Sequence, residues 1–289
     1  ADAATTLYDR TDIQIGDLIT LGGEDFVVAD TKTNTGVKTD KGNDGLFLIQ
    51  ADTDATPTLF GYERTQGSAS GEYGKVKINT NTAHFRTRAE DQLANDYVGS
   101  YVQNNAKIFV SNFNNVEKSA IITTDLPETT LVENKTKSLT NSASIAFSSA
   151  ISNYHLLYYP KEGYAGEPAV KSQKVFAPSF AEMLQLKDEN LLRPRNSKKY
   201  LGGNVDTGDT PQARYWTRTA VTDASNGSIG YKIAMFRDRD DSKSYTEADI
   251  VGACRFALNL NCDNIAFRMT KDASKNTYTN RPTYQIVDK

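Results

Sequence analysis

The chain has 289 residues with 33 basic and 36 acidic side chains, a net charge of −3. No Lys/Arg cluster forms the basic face that a nucleic-acid or anionic-membrane binder presents, and no run approaches the ~20 apolar residues that cross a bilayer. With 38% hydrophobic and 24% charged residues, the composition is that of a globular domain large enough to fold without a disulfide or metal staple.

In chain order, residues 12–50 read as a β-meander. Ile13, Ile15, Leu18, Ile19 and Leu21 precede a turn at Gly22-Gly23. Phe26-Val27-Val28 and Leu46 to Ile49 are the next strands, with a polar hairpin tip at 31–43 between them. Short apolar runs punctuated by Gly, Asn and Asp suit buried strands. Residues 52–83 are a turn-rich excursion around a short strand at 75–78. The period changes over 88–105, where Leu93, Tyr97, Val98 and Tyr101 share one helical face. A second short helix is expected over 114–122. Residues 125–150 are polar and weakly patterned, and Leu156 to Tyr159 is a strand ended by Pro160.

Val175-Phe176-Ala177 is a short strand. Ser179, three residues before Glu182, forms a capping box that opens a helix. A long loop covers 188–214, and its basic stretch Arg193–Lys199, broken by Pro194 and Asn196, reads as a solvated loop. Tyr215–Ala220 and Tyr231–Phe236 read as paired strands with Asn226-Gly227 between them. Ala253–Leu260 and Asn264–Met269 are the last strands expected. The layout is therefore one domain over 12–270, with an N-terminal extension at 1–11, an insertion near 125–174 and a tail or linker at 271–289.

Chemistry-bearing patterns are sparse. No nucleophile elbow, phosphate loop, dinucleotide fingerprint or zinc spacing occurs. His84 and His155 lie far apart with no Cys neighbour. The acidic run Asp238, Asp240, Asp241 alternates with Arg237 and Arg239, which suits a charged hairpin tip. Asn204, Asp206 and Asp209 surround a Gly-containing turn, and Asp206 and Asp209 are the candidate ligands if calcium binds; no other cofactor is expected. Cys254 and Cys262 are eight residues apart, so a disulfide between them needs an intervening turn. Tyr154, Tyr158, Tyr159 and Tyr164 cluster where rings either stack on sugars or pack beneath loops. Trp216 lies in an apolar strand and is expected in the core. Arg218 and Arg255, flanked by apolar residues, are expected to be half-buried anchors held by carboxylates or strand-end carbonyls. The start, Ala1-Asp2-Ala3-Ala4, is one that a cleaved secretory signal leaves, as trimming also would.

Several segments in order carry a resemblance. YWTRTA at 215–220 resembles the Tyr-Trp-Leu-Arg-Ser motif of a bacterial domain family of unknown function. RFALNLN at 255–261 resembles its closing Arg-Pro-Ala-Leu-Trp-Leu-Asn strand, and 174–186 resembles its Lys-Val-Phe-Leu-Leu-Ser strand and helix entry. The hairpin at 13–30 and the helix at 89–105 fall where that family has its own. Phe256, Thr217 and Thr219 depart from its pattern, and 125–174 matches poorly. The resemblance implies an α+β, C-type-lectin-like fold: a twisted, mainly antiparallel sheet with two or three helices and long loops. It also implies a secreted or surface-attached protein of a Gram-positive bacterium.

On that basis the leading expectation is a non-catalytic adhesion module. It would recognise a host or bacterial glycan or a surface protein through the loops at 188–214 and 221–249. Binding of that ligand, glycan or protein, would fall to Asn204, Asp206, Asp209, Arg214, Arg237 and Asp240, with carbohydrate binding among the expectations. Neither nucleic-acid binding nor membrane insertion is expected. Two other functions stay open. One is an oxidase resembling formylglycine-generating enzymes, with copper on Cys254 and Cys262. The other is a phage or retroelement-diversified receptor-binding protein.

Overall fold

The computed structural model describes residues 6–33, 45–54, 58–59, 97–98, 100–127, 169–179, 182–183, 186–196, 214–223, 230–237, 243–246 and 251–289. The fold is mixed α+β and dominated by strands. Chain order gives β1 (Leu7–Tyr8), β2 (Leu18–Leu21), β3 (Glu24–Asp30), β4 (Gly45–Gln50) and β5 (Thr58–Leu59). Helices α1 (Tyr101–Phe109) and α2 (Asn115–Ala120) follow, then β6 (Thr124–Leu126) and β7 (Val170–Gln173). The ribbon strands are β8 (Arg214–Asp223), β9 (Gly230–Arg237) and β10 (Lys243–Thr246). β11 (Val251–Gly252), β12 (Ala257–Asn261), β13 (Ile265–Lys271) and β14 (Thr283–Asp288) complete the described elements.

Seven strands form the main sheet in the order β1-β13-β14-β2-β3-β4-β12, and β8, β9 and β10 form an antiparallel ribbon. The meander is where the apolar runs placed it. Its β2–β3 turn is made by Gly22 and Gly23 at φ +61° and +80°, the left-handed geometry that a two-residue hairpin demands. Every residue of β4 is buried, so both of its faces are covered.

Helix α1 lies over this sheet through Phe109, whose ring meets Phe26, Phe113 and Phe256 edge-on at 6.0, 5.4 and 6.0 Å. Of the helix expected over 88–105, residues 88–96 and 99 lie outside the described residues; α1 covers its last part and runs on to Phe109. Ser100 caps it by accepting the Gln103 amide. Val102, Ala106 and Phe109 form its buried face, while Val98 is 45% exposed. Tyr97 is buried in the turn before the helix, where its hydroxyl accepts the Ala177 amide. In α2 the expected short helix is present, capped reciprocally by Asn114 and Glu117.

The outer edge of β12 is covered. Bridges from Ile121 to Leu260 and from Phe176 to Ala257 occupy it, and the Ile122 amide donates to Asn259. Such cover blunts a template for edge-to-edge association.

The segment after 270, expected as a tail or linker, belongs to the sheet. β14 lies between β13 and β2, antiparallel to the first and parallel to the second. Alternation explains why: Tyr284 and Ile286 are buried and Gln285 is not. Within the expected extension, β1 pairs with β13.

Trp216 is fully buried, as its strand implied, and sits opposite Met235 across the ribbon. A Cβ at Gly252 would come within 2.7 Å of the indole, so only glycine lets β11 approach it. Arg218 and Arg255 are deeper than expected, at 1% and 0% exposure rather than half-buried. Their partners are of the expected kinds. Arg218 pairs with Glu182 and donates to the Ala177 carbonyl at 2.9 Å, while Arg255 takes carbonyls. Glu182 also closes the expected capping box, exchanging bonds with Ser179 at 2.9 and 3.0 Å. Among the described residues no helix is long and apolar enough to cross a membrane.

Candidate functional site

A polar cleft of about 880 Å³ opens between the strap at 188–195 and the turn at 277–281, with Ile15 and Gly16 at its base. The strap begins with a single 3-10 turn, Glu189–Leu192, capped by the Asp188 carboxylate accepting the Asn190 amide at 3.1 Å. Leu191 and Leu192 are buried and hold the strap down. Beneath them lies Arg255, in the break between β11 and β12. Its Nε donates to the Gln50 carbonyl at 2.8 Å, and Nη1 donates to the carbonyls of Leu191 and Leu192 at 2.7 and 3.1 Å. Nη1 and Nη2 also reach the hydroxyls of Tyr215 and Tyr278 at 3.3 and 3.4 Å. The guanidinium lies over the Tyr215 ring at 5.1 Å. Every partner of this buried cation among the described residues is neutral.

Tyr278 joins the two walls. Its hydroxyl donates to the Arg193 carbonyl at 2.5 Å, and burial pushes its pKa up despite the neighbouring Arg255. Arg193 itself is exposed. Arg195 is fixed more firmly. It makes a two-bond contact with Asp52 at 2.7 and 3.0 Å and a third bond to Asp25 at 2.9 Å. Its backbone amide donates to Ala51 at 2.7 Å. The basic stretch at 193–199 had read as a solvated loop. In the structure Arg195 instead ties the strap to the meander, because two carboxylates far away in sequence converge on one planar fork.

The other wall is organised by buried Asn276. Its side-chain amide donates to the Thr279 hydroxyl at 2.6 Å and the Arg281 carbonyl at 2.9 Å, and its oxygen accepts the Tyr278 amide at 3.0 Å. Asn280 adopts a left-handed conformation at φ +56°, which Asn tolerates better than most residues. Thr279 donates to the Gly16 carbonyl at 2.5 Å. Gly16 is itself left-handed at φ +92°, with Arg281 only 3.3 Å from where its Cβ would lie. Arg281 donates through Nε to fully buried Asp17 at 2.8 Å, and its terminal nitrogens have no partner among the described residues. Burial raises the Asp17 pKa more than Gln14 and Arg281 lower it.

Of the residues singled out from sequence, Asn204, Asp206, Asp209 and Asp240 lie outside the described residues, and with them the candidate calcium ligands. Arg214 and Arg237 are backbone partners in the β8–β9 ladder. Among the described residues no group of three His, Cys, Asp or Glu could hold a metal. Cys254 and Cys262 are both buried and not in a disulfide, and burial drives the Cys254 thiol pKa sharply up. Extended β12 separates them. Its five residues span roughly 13 Å at about 3.3 Å per step, so the turn a disulfide needs is absent and the two thiols are not placed to share copper.

Sequence reasoning passed over Tyr278, Asn280 and Arg281 as part of a tail. The available signal was Asn280-Arg281-Pro282, a left-handed-tolerant residue shortly before a proline, which marks a shaped turn. No family model, curated protein or solved structure matches this chain.

Proposed function

We propose that the protein is a non-catalytic binding module, secreted or held at a cell surface, that takes a glycan into the cleft between 188–195 and 277–281. The observation that carries this reading is the cleft's lining. Asn190, Thr277, Tyr278, Thr279 and Asn280 are neutral hydrogen-bonding side chains interleaved with arginines. Ligand pockets of this size usually have mostly apolar walls; a polar, prearranged wall matches a polyhydroxylated ligand, and its rigidity keeps the ordering cost of binding low. The cleft is built by turns braced on a sheet, the arrangement in which loops most often carry recognition.

A C-type-lectin-like fold is part of the proposal. It is supported by the mainly antiparallel sheet, the two α-helices among the described residues and the burial of Trp216, Arg218 and Arg255, the residues of the resembling motifs. The strap overlaps the first part of the 188–214 loop, where the resemblance puts a binding face. The oxidase reading is disfavoured by the separation of Cys254 and Cys262 along β12.

The test is a glycan array probed with the whole protein and with Thr277→Trp, which places an indole at the exposed mouth of the cleft. Wild type is expected to bind a defined glycan set, and the variant to lose it with an unchanged melting temperature. A blank array for wild type, or full binding by the variant, overturns the proposal.

A further inference from the structure

Resting on the glycan reading, we infer that Asp17 is a proton-operated latch behind the cleft. Ionised, it holds the Arg281 side chain in the wall at 277–281; protonated, it lets that side chain go, and the site releases its ligand on acidification. The geometry isolates one movable part. Asp17 is fully buried, and both of its side-chain oxygens already accept. One takes Nε of Arg281 at 2.8 Å and the other takes the Gln14 amide at 2.8 Å. A protonated carboxyl turns one oxygen into a donor and offers Arg281 no charge to pair with, so it cannot hold both groups as the carboxylate does. The Gln14 donor is backbone, in a turn closed in return by the Asp17 amide on the Gln14 carbonyl at 3.1 Å. Arg281 is a side chain, 35% exposed, and is the partner able to yield.

The rest of the wall does not depend on the Asp17 charge. The Arg281 carbonyl accepts from Asn276, Thr279 donates to Gly16, and the Leu18 amide donates to the Pro282 carbonyl at 3.0 Å. Protonation therefore frees one side chain and leaves the turn's backbone in place. Arg281 lines the cleft, so a ligand must reorder it once it is loose, and affinity falls. The titratable neighbours of Asp17 leave the latch to Asp17 itself. Arg281 stays charged. Tyr284 of β14, which has Tyr8 and Asp12 as further neighbours, stays neutral because burial pushes its pKa up to about 12. From β3 comes the Val28 amide, which donates to the Asp17 carbonyl. Burial raises the Asp17 pKa above its ordinary 3.8 despite Gln14 and Arg281, so it takes its proton before an exposed aspartate does.

The first measurement needs no ligand. In the isotope-labelled full chain, the Nε–H resonance of Arg281 is followed by NMR from about pH 6 to about pH 4. It is expected to move in one step that Asp17→Asn lacks. No step, or the same step in Asp17→Asn, overturns the latch. The second measurement takes the glycan with the strongest array signal and titrates it into the full chain by calorimetry at both pH values. Wild type is expected to bind about three- to tenfold more weakly at the lower pH, the scale of reordering one freed side chain. Asp17→Asn, neutral throughout, should bind at both pH values as acidified wild type does. Asp188, the carboxylate on the cleft's own lining, is present in both proteins, so the difference between them belongs to Asp17. If Asp17→Asn does not fold, Arg281→Gln carries the comparison, because without the arginine the affinity should not step. A step that persists in these variants, or a wild-type affinity equal at both pH values, overturns the latch and leaves the glycan reading standing. A blank array overturns the glycan reading, and the Nε–H step then decides alone whether Asp17 latches the wall.

Discussion

At the scale of single residues, the two arginines embedded in apolar strands decide most. Arg218 and Glu182 form a buried pair in which the carboxylate also caps a helix start, so its charge has two tasks. Removing one partner strands the other, at a cost of about 3–5 kcal/mol for a buried pair. Arg218→Met is therefore expected to lower the urea-unfolding free energy by that amount. Glu182→Gln, which keeps a capping side chain, is expected to be destabilising as well. The double variant should recover most of the loss, because neither charge remains. Simply additive losses would contradict the pairing. These residues were legible in the sequence because a charge in an apolar strand demands a partner. Arg195 was not, because its carboxylates, Asp52 and Asp25, are 143 and 170 residues away, and nothing local distinguishes it from a solvated arginine.

At the scale of elements, the capping boxes of Asn114 with Glu117 and of Ser179 with Glu182 share a device. Glu117 caps α2 and also accepts the Gly22 amide at 3.2 Å, tying the helix start to the β2–β3 turn. Glu182 does the same toward Arg218. The boxes themselves follow local rules and could be read from spacing; what each glutamate reaches outward to could not. β14 shows the opposite case. Its six residues carry only a brief alternation, too short to separate a strand from a tail, and the two strands it joins supply the rest of the signal. A chain truncated after Thr270 loses β14 and opens a gap between β13 and β2. Such a truncation is expected to abolish cooperative unfolding by circular dichroism. A truncated protein that melts in one sharp transition near the wild-type temperature would show that β14 is dispensable. The same segment supplies one wall of the cleft, so misreading it as a tail hid the site along with the strand.

For the molecule as a whole, stability hangs on contacts across almost the full length of the chain. Arg281 and Asp17, 264 residues apart, sit beside the β2–β14 seam. The Asp17 carboxyl has a pKa raised above its ordinary 3.8, chiefly by burial. The native state therefore binds a proton in a window just above pH 3.8 that the unfolded chain does not, and there this group's contribution falls as pH rises. Compared with Asp17→Asn, wild type should gain relative stability as pH drops through that window. The two proteins' urea midpoints, measured from about pH 6 down to about pH 4, provide the check. A constant difference would mean that Asp17 ionises as it does in the unfolded chain. Closing such distant pairs also makes folding slow compared with helical proteins of similar size.

The parallel pairing of β14 with β2 has a mechanical consequence. A pull on residue 6 draws β2 from its leading end, and a pull on residue 289 draws β14 from its trailing end. Because the two strands run in the same direction, these forces oppose each other along the strand axis. The two-residue β1 can peel away first, but the seam behind it is loaded in shear. The Leu18–Pro282 bond and the ladder from Thr283 to Gln285 must then fail together rather than one after another. A pull across β13 and β14, which run antiparallel, could instead unzip that pair bond by bond from its open end toward the turn that bears the cleft. Tension between residues 6 and 289 is thus resisted in shear at the strand pair next to the proposed binding site.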